Sequence, residues 1–164
     1  MRAHKIAVLG VLTGVALILG YVERLIPVFS AMPGIKLGLS NTVLLYALYI
    51  MNWKEAMTLM VLKVVLSGLL FAGLSGALYG FSGGLLSLMF MILIQRSDGF
   101  SIVGVSMVGA VFHNIGQIGM AMLVVQTKGL LLYLPVLIIS GAITGMLTGM
   151  IAQNVLKGLK TCHP

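Results

Sequence analysis

The chain has 164 residues, of which 60% are hydrophobic and only 8% are charged, and its mean hydropathy is +1.15. A soluble domain carries about 25% charged residues, so this composition excludes a soluble globular domain, whose surface is exposed to water. The formal net charge of +7 comes from basic residues scattered singly between apolar runs, which argues against nucleic acid as a partner. The composition predicts an all-α integral membrane protein, because lipid accepts an apolar exterior.

Charged residues, prolines and glycines divide the chain into six apolar segments, which we predict to be transmembrane helices. In chain order they cover about residues 6–26, 39–51, 56–72, 77–94, 102–125 and 131–156. Several are close to the roughly 20 residues that a span needs, whereas the second is short enough to begin within the loop before it. We therefore expect a compact bundle of about six transmembrane helices that forms a single domain over residues 1–164.

The N-terminal sequence MRAHK and the apolar run after it resemble a signal peptide. The run is about 20 residues long and has no clear small-residue cleavage site, so we interpret it as a retained first span. The only cysteine is Cys162, which excludes an internal disulfide.

The basic residues predict how the helices are oriented. With six spans, one side would carry both termini with Arg2, Lys5, Lys54, Arg96, Lys157 and Lys160, and the other side Arg24, Lys36 and Lys128. The positive-inside rule then predicts a multi-pass protein of the cell membrane with both termini in the cytoplasm.

Acidic residues are too few for most catalytic chemistry. The three that exist, Glu23, Glu55 and Asp98, lie far apart in sequence and at predicted span ends. Hydrolysis by paired carboxylates and carboxylate-bound magnesium both need acids that can converge. The chain also has no GxxxxGK[ST] stretch and no zinc spacing among its histidines and cysteine. We therefore expect neither an enzyme nor a site for a metal or cofactor.

Lys63 is predicted to lie deep within the third segment. It follows Lys54 by nine positions, which places it roughly 13 Å from the start of the helix in a hydrocarbon layer about 30 Å thick. A charge at this depth costs about 2.5–3.5 kcal/mol, so Lys63 should face the bundle interior or a water-filled cavity. No acidic residue is expected at this depth. An anionic ligand could therefore neutralise Lys63, and the alternative is a lysine that stays uncharged.

The fifth segment carries three hydrogen-bonding side chains, His113, Asn114 and Gln117, within five positions. His113 would lie roughly 18 Å from the start of its helix. His113 and Gln117 share a helical face, and Asn114 points about 100° away but could still line an inward wedge. These residues form either a ligand site or interhelical hydrogen bonds, which are worth about 0.6 kcal/mol each.

The connection between the first two segments ends in PGIKLGLSN, residues 33–41. Its Pro-Gly pair predicts a turn, and Ser40 or Asn41 could cap the second helix. A loop that runs onto a helix N-terminus with Lys36 nearby would suit an anionic group. The alternative is that Lys36 is a solvated residue at the membrane interface.

Small residues form stripes on the first and last helices. They are Ala3, Ala7, Gly10 and Gly14 on the first and Gly141, Gly145 and Gly149 on the last. Such stripes allow close helix contact, either within the bundle or with a separate membrane subunit. The stripe on the first helix is the better candidate for docking a partner, because it continues to the cytoplasmic end.

PGIKLGLSN and GAVFHNIGQ resemble motifs of the Gx transporter family, also called heptaprenyl diphosphate synthase component I. The resemblance covers nearly the whole chain. It extends to the S components of energy-coupling-factor (ECF) transporters, six-helix membrane proteins that bind a vitamin-like molecule near the outer face. Those proteins work with a transmembrane coupling subunit and two cytoplasmic ATPases.

The resemblance implies roles for particular residues. Ala3 and Ala7 match the motif that docks the coupling subunit. The family's signature positions fall on Lys36, Asn41, His113, Asn114 and Gln117. Prenyl diphosphate synthases resemble one another in DDxxD motifs that bind magnesium diphosphate, and this chain has a single aspartate. A synthase role could therefore only be that of a non-catalytic component.

We therefore expect an S-component-like subunit that binds a small vitamin- or cofactor-like solute, with an anionic group or an aromatic ring as candidate features. The predicted ligand residues are Lys36, Asn41, Lys63, His113, Asn114 and Gln117, with Tyr46, Tyr79, Phe81 or Phe112 as walls. One alternative is a non-catalytic accessory subunit of isoprenoid, quinone or extracellular electron-transfer machinery, with a synthase or redox protein as partner. Another is a facilitator that acts without any other chain.

Overall fold

The computed structural model describes residues 2–26, 37–97 and 99–162. These residues form six α-helices: α1 (Arg2–Leu25), α2 (Leu39–Ile50), α3 (Trp53–Ser67), α4 (Gly73–Gln95), α5 (Ile102–Val125) and α6 (Leu134–Cys162). A π-helical turn, Gly68–Ala72, joins α3 to α4, and a 3-10 helix, Lys128–Tyr133, precedes α6. No strand occurs in the described residues, in agreement with the predicted all-α class.

Four helical stretches within the described residues are long and apolar enough to span a membrane: Ala3–Leu25, Trp53–Gln95, Ile102–Val125 and Lys128–Gly158. They support the prediction of a multi-pass membrane protein. They do not establish the predicted number of six spans. The shorter helix α2 has 12 residues and is about 18 Å long, less than the hydrocarbon thickness of about 30 Å. The stretch Trp53–Gln95 combines α3 and α4, which run in opposite directions.

The chain reverses direction between α3 and α4 at Gly73. Its φ of 67° lies in the left-handed region, which glycine adopts without steric cost. Beyond it, glycines of α4 lie against α3: a Cβ added to Gly80 would be 3.7 Å from Val64, and one added to Gly84 would be 3.0 Å from Met60. The two helices therefore form a closely packed antiparallel hairpin.

The helices α4, α5 and α6 pack closely at glycines. A Cβ added to Gly116 of α5 would lie 2.7 Å from the carbonyl oxygen of Ser82 on α4. One added to Gly145 of α6 would lie 2.7 Å from Cα of Met107 on α5. Gly141 and Gly149 of α6 likewise lie against α5, so the predicted stripe on the last helix serves packing within the bundle.

The small-residue stripe of α1 differs from that of α6. Ala3, Ala7 and Gly10 are exposed, and a Cβ added to Gly10 or Gly14 would meet nothing within 4 Å. Packing within the bundle was one of the two interpretations of this stripe, and the structure contradicts it. A different side of α1 is the buried one, with Thr13 and Ala16 5% and 1% exposed.

Two contacts define the ends of the bundle. The ammonium of Lys5 lies 3.3 Å from Oε1 of Glu55, which brings together the beginnings of α1 and α3. At the opposite end, Nη1 of Arg24 donates to the carbonyl oxygen of Phe71 at 3.0 Å, which joins the end of α1 to the π-helical turn. The hydrophobic core is built largely from α2, α3 and the later half of α4, with Leu44, Leu45, Leu59, Met60 and Leu88 almost fully buried.

Candidate functional site

A cavity of about 300 Å³ lies between the helices, and all six contribute to its wall. It extends from the interior to the end of the bundle at which α1 ends and α2 begins. Its lining includes Glu23, Arg24, Ser40, Asn41, Lys63, Ser67, Phe71, Gly76, Gly80, Gly84, His113, Asn114, Gln117 and Thr144. A polar cavity of this kind within an apolar bundle is a candidate ligand site.

Five of the six predicted ligand residues line this one cavity: Asn41, Lys63, His113, Asn114 and Gln117. The sixth, Lys36, lies outside the described residues. The arrangement follows from helix periodicity and depth, which place polar side chains of α2, α3 and α5 on faces directed toward the bundle interior. That they bind a ligand stays a prediction.

Lys63 is held by α2. Its ammonium donates to Oδ1 of Asn41 at 2.7 Å, and the pair is partly buried. Asn41 lies in the first turn of α2, whereas Lys63 lies well within α3, so the contact links the start of one helix to the interior of the next. A lysine has three donor hydrogens, so its ammonium can bind more than one acceptor at a time.

Glu23 is a cavity residue that the sequence analysis did not include in the site. It is 5% exposed, and its Oε1 accepts a hydrogen bond of 2.7 Å from the backbone N–H of Gly38. The cavity that Lys63 lines therefore also contains an acidic side chain, which the sequence had placed at a span end. The signal was present in the sequence, because Ala16, Gly20 and Glu23 follow the spacing of one helical face, and all three line the cavity.

The start of α2 also differs from the prediction. Its N-cap is Gly38, whose φ of 74° is left-handed, and no side chain caps the helix. Ser40 and Asn41 instead face the cavity. The position expected to attract an anionic group holds a carboxylate of the chain itself, that of Glu23, which is electrostatically favourable at a helix N-terminus.

The three polar residues of α5 have different surroundings. Nδ2 of Asn114 donates to the carbonyl oxygen of Leu137 on α6 at 2.8 Å, which is the interhelical hydrogen bond given as the alternative to ligand binding. His113 and Gln117 lie against α4 at Gly83, where an added Cβ would be 2.8 Å from Cγ of Gln117 and 3.1 Å from Cε1 of His113. Asn114 thus has a structural contact in addition to its place in the cavity wall.

The aromatic wall was predicted incorrectly. Phe71 lines the cavity, but Tyr46, Tyr79, Phe81 and Phe112 do not. The ring of Phe112 instead stacks on Phe90, with centroids 3.4 Å apart. Phe71 belongs to the π-helical turn, and the guanidinium of Arg24 lies over its ring at 5.5 Å from the centroid.

Three glycines of α4 form part of the cavity wall. Gly76, Gly80 and Gly84 follow at intervals of four residues on α4, so the backbone itself faces the cavity there. In the part of the chain that the structure describes, no three side chains of histidine, cysteine, aspartate or glutamate come together to hold a metal ion. The groups present can bind a polar solute through charges and hydrogen bonds.

Comparison with known proteins gives a family match. The family model described as heptaprenyl diphosphate synthase component I matches residues 12–155. The described cavity residues, from Ala16 to Thr144, all lie within the matched region. No curated protein and no solved structure matches the chain.

Proposed function

Because the chain belongs to the heptaprenyl diphosphate synthase component I family, we propose that it is a non-catalytic membrane subunit that binds a small polar solute. In this proposal it acts like the substrate-binding subunit of an ECF-type transporter. The observation that carries the proposal is the cavity, in which charged and hydrogen-bonding side chains of several helices meet inside an apolar bundle. Ionisable groups in such a position are functional candidates because their burial is costly.

The size of the cavity favours a compact solute. Its volume of about 300 Å³ is at the lower end of the range for small-molecule sites, about 300–1,000 Å³. A chain of seven isoprene units would be long for this space, whereas a vitamin- or cofactor-like molecule would suit it. Lys63 would bind an anionic group of the solute, with Asn41, His113 and Gln117 as hydrogen-bond partners.

The proposed orientation places the open end of the cavity outward. The contact of Lys5 with Glu55 lies at one end of the bundle, and that of Arg24 with Phe71 lies at the cavity end. By the positive-inside rule the first end is cytoplasmic. The protein would then cross the cytoplasmic membrane six times, with the short α2 beginning below the outer surface.

A membrane partner would dock on the small-residue stripe of α1. Ala3, Ala7 and Gly10 are exposed, and the space beside Gly10 and Gly14 is open, so another helix could approach the α1 backbone closely. A transmembrane coupling subunit with cytoplasmic ATPases is the proposed partner.

The test of solute binding uses two lysines of α3. Wild type, Lys63→Met and Lys54→Met are purified in detergent, and the small molecules that they retain are identified by mass spectrometry. Lys63→Met should lose a solute that wild type and Lys54→Met retain, because Lys54 is exposed near the start of the helix and does not line the cavity. If a folded Lys63→Met variant retains as much solute as wild type, Lys63 does not bind the solute.

A second candidate function is favoured by the description of the family, which names a component of a synthase. The chain would then be a membrane anchor or scaffold for a separate prenyl diphosphate synthase. A pull-down from native membranes distinguishes the two: a coupling subunit and ATPases support the transporter subunit, whereas a synthase without ATPases supports the scaffold.

A further inference from the structure

Charges of both signs line the cavity. Glu23 is 5% exposed and contributes a carboxylate, and Lys63, partly buried, contributes an ammonium. Both are bound to the start of α2: Glu23 accepts from the N–H of Gly38, and Lys63 donates to Oδ1 of Asn41. Gly38 and Asn41 are one helical turn apart, since the N–H of Asn41 donates to the carbonyl oxygen of Gly38 at 2.8 Å.

We propose that the solute bound in this cavity is a zwitterion, with an anionic group that binds Lys63 and a cationic nitrogen that binds Glu23. This inference rests on the proposed function, because it specifies the chemical class of the solute at the same site. It also changes the earlier expectation, in which an anionic group alone would neutralise Lys63.

The balance of charge is the physical reason. The charges of Glu23 and Lys63 sum to zero, so a solute with a net charge would leave one charge unbalanced in a poorly solvated site. An anion would also be repelled by Glu23, and a cation by Lys63. A zwitterion can pair with both, and the resulting charge-assisted hydrogen bonds are stronger than those of an uncharged polar solute.

Among the described residues that line the cavity, Arg24 carries the other permanent charge. The guanidinium of Arg24 is at the exposed mouth, where water screens it, and it is bound to the carbonyl oxygen and ring of Phe71. A carboxylate offers about four acceptor positions and an ammonium three donors, and Gly38 and Asn41 each occupy one of them. Each charged group can therefore bind more than one partner at a time.

Four probes of similar size test the charge requirement: para-(aminomethyl)benzoate, para-methylbenzoate, para-methylbenzylamine and para-methylbenzyl alcohol. They carry both charges, the negative charge, the positive charge and no charge, respectively. Binding to the full-length protein in nanodiscs is measured by isothermal titration and by the increase in unfolding temperature. The zwitterion should bind roughly tenfold or more tightly than each of the other three.

Two variants remove one charge each while retaining a group that can form the bond to α2. Glu23→Gln can still accept from Gly38, and it should bind para-methylbenzoate at least as tightly as the zwitterion. Lys63→Gln should shift the preference to para-methylbenzylamine. The matched controls, Glu55→Gln and Lys54→Gln, alter charges outside the cavity and should retain the wild-type order.

The outcomes separate this inference from the proposed function. Tighter binding of the anion, the cation or the alcohol by wild type would overturn the proposal of a zwitterionic solute. The proposal of a solute-binding subunit would still stand. An unchanged order of affinities in folded Glu23→Gln and Lys63→Gln would overturn it as well. A lack of binding by all four probes would contradict both the inference and the proposed function.

Discussion

The substitution Gly116→Ala is expected to separate α4 from α5. A Cβ at this position would lie 2.7 Å from the carbonyl oxygen of Ser82 and 2.8 Å from Cα of Gly83. Both are backbone atoms, so no side-chain rotation relieves the overlap, and one helix has to shift. The same shift would strain the hydrogen bond from Oγ of Ser82 to the carbonyl oxygen of Gly116, which is 2.9 Å long.

The expected cost follows from these two contacts. Overpacking typically costs about 1–3 kcal/mol, and an interhelical hydrogen bond contributes about 0.6 kcal/mol. Gly119→Ala is the matched control, because it lies one turn along the same helix and its added Cβ would meet nothing within 4 Å. The helix-propensity gain of alanine is common to both variants and cancels, so Gly116→Ala should be the less stable by roughly 1.5–3.5 kcal/mol.

Reversible unfolding in mixed micelles measures this difference. Both variants are compared with wild type under the same detergent conditions, and helical content is followed by circular dichroism. Equal stabilities of Gly116→Ala and Gly119→Ala would contradict the close approach of α4 to Gly116, which Gly119 does not share.

Three further predictions concern the other helix contacts. Gly10→Val should leave the free energy of unfolding nearly unchanged but reduce co-purification of a membrane partner. Gly145→Val should instead destabilise the bundle by about 1–3 kcal/mol or more. Equal destabilisation by both variants would contradict the different packing of α1 and α6. Asn114→Ala should lower the free energy of unfolding by about 0.6–1 kcal/mol, since it removes the bond to Leu137, and no change in denaturant unfolding would argue against that bond. Ser106→Ala removes a buried contact of 3.2 Å with a threonine hydroxyl of α6 and should cost about 0.6 kcal/mol in the same assay, so a loss of several kcal/mol would refute this estimate.

The positions of the cavity residues on α3 and α5 could be predicted from sequence because two strong constraints act on them. The long apolar runs define helices, and the cost of a charge in hydrocarbon directs Lys63 inward wherever the neighbouring helices lie. The same reasoning places His113 and Gln117 on one face, and both line the cavity. Depth and periodicity therefore sufficed for residues well within long helices.

The residues near helix ends could not be predicted in this way. Glu23 was assigned to a span end, but this residue is 5% exposed, lines the cavity and accepts a hydrogen bond from the backbone N–H of Gly38, the N-cap of α2. The predictions of the α2 cap and of the aromatic wall were wrong for a related reason, because both features depend on the path of the chain between helices. Hydropathy does not specify that path, and Phe71 reaches the cavity only through the π-helical turn.

The α3–α4 hairpin has a consequence for how the chain enters the lipid during biosynthesis. Residues 68–77, which form its tip, contain no charged side chain, so the tip can cross the hydrocarbon without the cost of about 2.5–3.5 kcal/mol that one ionised group would add. The basic residues that flank the pair, Lys54 and Arg96, both lie at its base. Within residues 56–95 Lys63 is the one charged side chain, so insertion of the two helices as a unit carries a single ionisable group into the lipid.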